Sequence, residues 1–132
     1  MLALDYGSAR CGCALSDATG TLATPIEPVA RPGTRKGIGA IAGLVRARAV
    51  QRVVVGLPVT LSGGDSDQTR ETRAFAQRLQ GLINVPVDLY DERFTTAIAA
   101  RSGSSQTSED SRAAAILLDD YLARHAAEVR DA

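Results

Sequence analysis

Residues 1–20 read MLALDYGSARCGCALSDATG, and this stretch decides how the sheet of the protein is built. The short apolar run Leu2–Asp5 stops at Tyr6-Gly7, which predicts a buried strand followed by a turn. Cys11–Ser16 predicts a second strand, and Asp17-Ala18-Thr19-Gly20 then predicts a hairpin-like turn. The chain therefore begins with two antiparallel strands, and the first of them ends on a carboxylate.

The next segment predicts a third strand at the edge of the sheet. Thr21–Val29 is extended, but Pro25 and Pro28 have no N–H to donate to a neighbouring strand. Two later segments also predict strands. Val53–Gly56 is a continuous β-branched run of the kind that is buried on both faces, and Pro86–Leu89 is a shorter extended run.

Between and after these strands, apolar residues recur at the spacing of a helix face. Three helices are predicted from the following apolar positions: Ile38, Ile41, Ala42, Leu44, Val45 and Ala49; Phe75, Ala76, Leu79, Leu82 and Ile83, fraying at Gly81; and Ala114, Leu117, Leu118, Tyr121 and Leu122. We expect loops at Leu57–Gly64 and Gly103–Thr107, with a short helix at Thr95–Ala100.

The predicted order of elements is βββαβαβα. Three antiparallel strands followed by two strands reached through helices give a mixed sheet, because helical crossovers join parallel neighbours. The strand order 3-2-1-4-5 puts the first strand in the centre. This is an α/β architecture of the ribonuclease-H-like kind, with the sheet flanked by helices, and 132 residues form one such domain, 1–132.

Composition indicates where the protein works. No apolar run approaches the roughly 18 residues that a membrane span needs, and an acid at position 5 interrupts any signal-peptide-like segment. Cys11 and Cys13 are expected to be small buried side chains in a reducing compartment, since no other cysteine is present to extend a metal site. We therefore expect a cytoplasmic protein with no membrane partner.

The charge is balanced in total but not in distribution. The formal net charge is zero, yet residues 28–64 contain no Asp or Glu. The basic residues of this stretch are Arg31, Arg35, Lys36, Arg46, Arg48 and Arg52. We predict that Arg46, Arg48 and Arg52 form a flank that meets phosphate. The alternative is an ordinary solvated helix face.

Three acidic positions are candidates for chemistry. Asp5 follows the central strand, at a sheet edge where ligands gather. Glu92 comes directly after the last strand, and Asp110 lies in the first turn of the predicted last helix. If the three carboxylates converge, their repulsion requires cations between them, and Mg²⁺ or Mn²⁺ suits an all-oxygen site. One or two such ions can activate water for phosphodiester hydrolysis.

Each candidate also has a purely structural interpretation. Asp5 is a common turn residue. Thr95 or Thr96 would cap a helix, with the preceding acids near its positive end. Thr107 and Asp110 have the spacing of a loose capping box, and Glu109 competes with Asp110 for any role in a site.

Five motifs, in this order, carry a resemblance to a known family. They are Asp5-Tyr6-Gly7, the run from Arg10 to Asp17 (RCGCALSD), Gly56-Leu57-Pro58, Asp91-Glu92-Arg93-Phe94-Thr95-Thr96 and the run from Asp110 to Leu118 (DSRAAAILL). Together they resemble the YqgF family, also called RuvX, of Holliday-junction-resolvase-like nucleases. The resemblance covers nearly the whole chain, and its DERxTT element is the most specific.

The resemblance implies a ribonuclease-H-like nuclease with a divalent-metal site. By position, it implies Asp5, Glu92 and Asp110 as the metal-binding catalytic acids. It implies Arg10 and Arg93 as supporting residues, and Thr95 and Thr96 as residues that position the loop or contact phosphate. Members of the family are associated with maturation of the 5′ end of pre-16S ribosomal RNA, and some are described as junction resolvases.

Two features depart from the family pattern and leave alternatives open. Cys11 and Cys13 replace branched aliphatic residues, and the segment 97–109 is short, with Arg101 as its one basic residue. The expected substrate is precursor rRNA or four-way DNA, possible partners are ribosomal precursor particles, and the protein is a monomer or homodimer. A non-catalytic nucleic-acid-binding module of ribosome assembly is the main alternative, and a sugar-kinase-like ATPase is a remote one because 132 residues cannot form its two lobes.

Overall fold

The computed structural model describes residues 1–17, 22–58, 66–91 and 106–130. In the last of these segments, it describes the side chains of residues 111–124 only. The predicted N-terminal hairpin is present. The described elements are the strands β1 (Leu2–Asp5), β2 (Arg10–Ser16), β3 (Ala23–Ala30), β4 (Val53–Leu57) and β5 (Val87–Asp91) and the helices α1 (Arg35–Ala47), α2 (Asp67–Gln80) and α3 (Gln106–Arg130).

The five strands form one mixed sheet in the order β3-β2-β1-β4-β5. β2 is antiparallel to both β1 and β3, whereas β4 is parallel to both β1 and β5. The predicted strand order is therefore confirmed, with β1 in the centre. The two prolines of β3 lie at an edge of the sheet, as their missing N–H groups require.

Side chains of β1 alternate between two hydrophobic cores, one on each face of the sheet. Leu2 and Leu4 pack with α1 and α2, where Phe75 and Leu79 are fully or almost fully buried. Ala3 packs on the other face, under α3. Because every residue of β1 is buried, the strand is fixed in register by apolar contacts on both sides.

Several element boundaries differ from those predicted, and the differences at β4, β5 and α3 bear on the candidate site. β4 continues through Leu57 rather than ending at Gly56, and β5 continues to Asp91, because these two last residues pair with each other in the parallel ladder. α3 begins at Gln106, so Gln106 and Thr107 are helical rather than part of a loop. The capping box predicted from Thr107 is therefore wrong, and Asp110 lies in the second turn. Residues 95–105 lie outside the described residues.

The first turn of α1 is fitted closely against the end of β3. Arg31 has a left-handed backbone, with φ of 45°, and its carbonyl accepts hydrogen bonds from the N–H and the hydroxyl of Thr34. The Thr34 hydroxyl in turn caps α1 by accepting from the N–H of Gly37. A Cβ at Gly37 would stand 2.0 Å from the Arg31 carbonyl oxygen, so only glycine fits there.

Gly37→Ala is expected to lower the free energy of unfolding by about 1–3 kcal/mol or more, because the added methyl group collides with backbone rather than with a flexible side chain. Gly39→Ala is the matched control in the same helix, since a Cβ there has no atom within 4 Å. It should raise stability by about 0.5–1 kcal/mol, the ordinary gain for alanine in a helix. Denaturant unfolding measures both, and equal effects would contradict the packing described for Gly37.

Candidate functional site

Asp5 lies at the end of the central strand in a gap between two glycines. Asp5 is 5% exposed, and it pairs with Gly12 of β2. On the other side, the pairing of Leu4 with Val55 brings Gly56 level with Asp5. Residues paired across strands point to the same face. Neither neighbour therefore places a side chain beside the Asp5 carboxylate, which points to the α3 face, as Ala3 does.

Beyond Gly56, the next strand of the sheet is β5. Gly56 pairs with Tyr90, so Tyr90 is the residue of β5 that stands level with Asp5. The Tyr90 hydroxyl donates to Asp120 of α3 at 2.5 Å, and burial and this carboxylate together raise the pKa of Tyr90 to about 12. The predicted site residues Glu92, Arg93, Thr95 and Thr96 follow β5 directly but lie outside the described residues.

Ser111 fixes α3 over the Asp5 face of the sheet. The pairing of β2 with β3 shifts between Cys11 and Cys13, opposite the position of Asp5. The buried Ser111 hydroxyl sits at this irregularity, where it donates to the Ile26 carbonyl at 2.5 Å and accepts from the N–H of Cys13 at 3.5 Å. The backbone of Asp110, the preceding residue, is thereby held near the same strands, while its side chain lies outside the described residues.

The turn after Asp5 is held from the opposite face by α2. Tyr6 stacks on Phe75 with 4.6 Å between ring centroids, and its hydroxyl donates to Glu71 at 2.8 Å. Burial, and then the Glu71 carboxylate, raise the pKa of Tyr6 to about 12, so the hydroxyl stays protonated as a donor. Gly7 permits the close turn, because a Cβ there would lie 2.8 Å from the Arg10 carbonyl oxygen.

A cavity of about 460 Å³ opens beside this turn. It is lined by Tyr6, Gly7, Ser8, Ala9, Arg10, Gln68 and Glu71. Arg10 thus stands on the Asp5 edge of the sheet, where its guanidinium can meet an anion. The sequence did not single out Tyr6 or Glu71 as residues of this edge: Tyr6 was adjacent to a candidate acid, but no pattern linked it to a residue 65 positions later.

The three arginines of the predicted basic flank have different roles in the folded protein. α1 starts near the end of the sheet at which Asp5 lies and runs away from it. Its 13 residues span about 20 Å, so Arg46 and Arg48 lie towards the other end of the strands. Arg52 precedes β4 at that other end, with its carbonyl bound to the N–H of Leu2, and its guanidinium pairs with Asp88. Arg52 therefore holds β4 to β5, whereas Arg46 and Arg48 remain exposed.

The Asp5 carboxylate supplies oxygen ligands, which hard cations such as Mg²⁺ and Mn²⁺ prefer. Glycine stands level with Asp5 on both neighbouring strands, so no side chain of β2 or β4 lies beside this oxygen ligand. Among the side chains that the structure describes, no group of three His, Cys, Asp or Glu residues is placed to hold a metal ion. No helix within the described segments is long and apolar enough to cross a membrane.

Ser111→Ala is expected to lower the free energy of unfolding by about 1–3 kcal/mol, because it leaves the buried N–H of Cys13 and the partly buried carbonyl of Ile26 without the hydroxyl that bridges them. Chemical denaturation measures the loss. A change below about 0.5 kcal/mol, the usual range for a surface substitution, would show that the hydroxyl does not hold α3 to the sheet.

Comparison with known proteins gives sequence relatives along almost the whole chain. The family described as "RuvX: Holliday junction resolvase" matches residues 1–124. A protein of Chloroflexus aurantiacus named "Putative pre-16S rRNA nuclease" is 36% identical over 130 residues, which cover 92% of this chain and 85% of the relative. A protein of Bordetella avium with the same name is 37% identical over 124 residues, covering 94% and 95% of the two chains.

Solved structures share the fold at low sequence identity. Thermus thermophilus RuvC superposes with a TM-score of 0.55 at 16% identity, covering 96% of this chain and 97% of that one. RuvC of the same organism in complex with a Holliday junction substrate gives the same TM-score over 96% of each chain. This likeness confirms the ribonuclease-H-like fold predicted from the strand order.

Proposed function

Since this chain belongs to the RuvX family, we propose that it is a divalent-metal-dependent nuclease that matures the 5′ end of pre-16S rRNA. The observation that carries the proposal is the Asp5 carboxylate, buried at the end of the central strand between Gly12 and Gly56. A carboxylate at the end of a strand, with glycine on both neighbouring strands, offers the kind of oxygen ligand that a hard divalent cation prefers.

Asp5 would hold the ion, with Glu92 and Asp110 as the further carboxylates that the family resemblance implies. A bound Mg²⁺ or Mn²⁺ would supply Lewis-acid stabilisation of the charge that develops on phosphate oxygens. Two helices keep the Asp5 carboxylate in place: α2 anchors the following turn through Tyr6 and Glu71, and α3 is anchored by Ser111.

Arg10 is suited to the substrate rather than to the ion. It lines the cavity on the Asp5 edge, and a guanidinium can bind a phosphate through two parallel hydrogen bonds. Arg10 would therefore orient the phosphate beside the Asp5 carboxylate. Arg93, Thr95 and Thr96 are proposed to assist from the other side of the gap.

The relatives' names favour precursor rRNA as the substrate, whereas the description of the family favours a second candidate, a four-way DNA junction. A single site at the Asp5 edge suffices to trim one RNA end. Symmetric cleavage of a junction would require two sites, and thus a homodimer. The two substrates can be compared in a single assay.

Asp5→Asn is expected to reduce metal-dependent cleavage by more than about 100-fold, which is the upper end of what loss of an outer-shell partner costs a metal site. Cleavage of precursor rRNA and of a four-way junction is measured with Mg²⁺, Mn²⁺ or a chelator. The chelator should abolish wild-type activity. Asp67→Asn is the matched control, because this carboxylate is exposed on α2 and lies outside the site.

Wild-type rates in folded Asp5→Asn would refute the assignment of Asp5. If the wild-type protein binds these substrates but cleaves none of them with any metal, the proposal of a nuclease is wrong and the chain is a binding module.

A further inference from the structure

We propose that the groove between β3 and α1 binds a single strand of nucleic acid and leads it to the Asp5 edge of the sheet. The inference rests on the proposed function, which supplies an anionic polymer as substrate. It replaces the predicted basic flank with a track that keeps Arg48, omits Arg52 and adds Arg31, Lys36 and an apolar floor. The groove has a volume of about 810 Å³. Its lining includes the apolar residues Ile26, Val29 and Leu44 and the basic residues Arg31, Lys36 and Arg48.

The groove lies along the edge strand β3, on the face of the sheet opposite α3. α3 contacts β3 extensively on its own face, whereas α1 approaches β3 at only a few positions on the other face. Ile26 and Val29 of β3 are consequently only half-buried on the α1 side, and so is Leu44 of α1. These three side chains form an apolar floor that remains open to solvent.

Positive charge follows the helix side of the groove. Lys36, Ala40, Leu44 and Arg48 recur every four residues, which places them along one stripe of α1. Lys36 and Arg48 are about 18 Å apart along the helix axis, and both are exposed. With Arg31 the lining carries three cations against one acid, Glu27, so it favours an anionic occupant that extends along its length.

Arg31 marks the end of the groove nearest the candidate site. Its N–H donates to the carbonyl of Ala9 at 2.9 Å, and Ala30 before it pairs with Arg10. Ala9 and Arg10 line the cavity beside the turn that follows Asp5. The left-handed backbone of Arg31 is a costly conformation for this residue type, and Thr34 holds it in place. The groove and the candidate site are therefore joined through a fixed arginine.

A single strand fits this surface better than a duplex does. Phosphates can follow the basic stripe of α1 while unstacked bases cover the apolar floor, as in other channels for single strands. The bases of a duplex are stacked inside and cannot reach such a floor. The length of the stripe corresponds to a few nucleotides, on the order of the smallest sites known for single-strand binding.

The test is binding of a fluorescent single-stranded RNA oligonucleotide in chelator, so that cleavage plays no part. The double variant Lys36→Glu/Arg48→Glu is expected to weaken binding by at least about 10-fold and to reduce the slope of log K against log salt by about 1.4, the value for two lost phosphate contacts with a single strand. Leu44→Asp should also weaken binding, because it places an acid on the apolar floor. A duplex of the same sequence should bind the wild-type groove more weakly than the single strand.

Arg73→Glu on α2 is the control for a single charge reversal and is compared with Lys36→Glu alone, since Arg73 is exposed and does not line the groove. It should bind RNA as the wild type does. Thermal melting checks that each variant is folded. Unchanged RNA affinity and salt slope in the folded double variant would overturn the inference.

A polyglutamate peptide is the competing ligand. If the double variant loses affinity for the peptide but not for RNA, the groove serves an acidic protein partner and the inference is also overturned. Failure of this inference can be distinguished from failure of the proposed function, because Asp5→Asn should bind RNA normally in chelator even though it does not cleave.

Discussion

The burial of β1 on both faces is the constraint on which the rest of the structure depends. Leu2 and Leu4 belong to one core, and Ala3 belongs to the other. A shift of one residue would exchange these side chains between faces, so the register of β1 is fixed by both cores at once. Asp5 extends this strand by one residue, and its carboxylate is therefore held in position by apolar contacts made elsewhere.

Besides the two hydrophobic cores, polar contacts fix the elements around Asp5. Glu71 fixes the turn after Asp5 through Tyr6, and Ser111 fixes α3 across the β2–β3 irregularity. Both contacts join segments that are far apart in the chain, so the site edge forms only once α2 and α3 are docked. The glycines level with Asp5 on both neighbouring strands place no side chain beside its carboxylate, and a metal-binding site requires such a carboxylate to be held rigidly in position.

The sequence predicted the strand order because the patterns that determine it are local. β-branched and apolar runs marked the strands, and the helical periods between them required parallel crossovers. The predicted start of α3 was wrong, because Gln106 and Thr107 are not part of an apolar helical period. The sequence also could not reveal Ser111, Tyr6–Glu71 or the β3–α1 groove, because each depends on contacts between distant segments. The basic stretch 28–64 appeared as one flank, but folding sends Arg52 into an ion pair with Asp88 and sets Lys36 and Arg48 along a groove.

The central claim is that the Asp5 carboxylate holds a divalent cation. The most direct measurement is a crystal structure of the protein with Mn²⁺, located by its anomalous scattering. We expect an ion coordinated by an Asp5 oxygen at about 2.0–2.6 Å, the range for oxygen ligands of hard cations, with Glu92 or Asp110 as a further ligand. Saturating Mn²⁺ with no ion at Asp5, or with Asp5 bound only to protein groups, would contradict it.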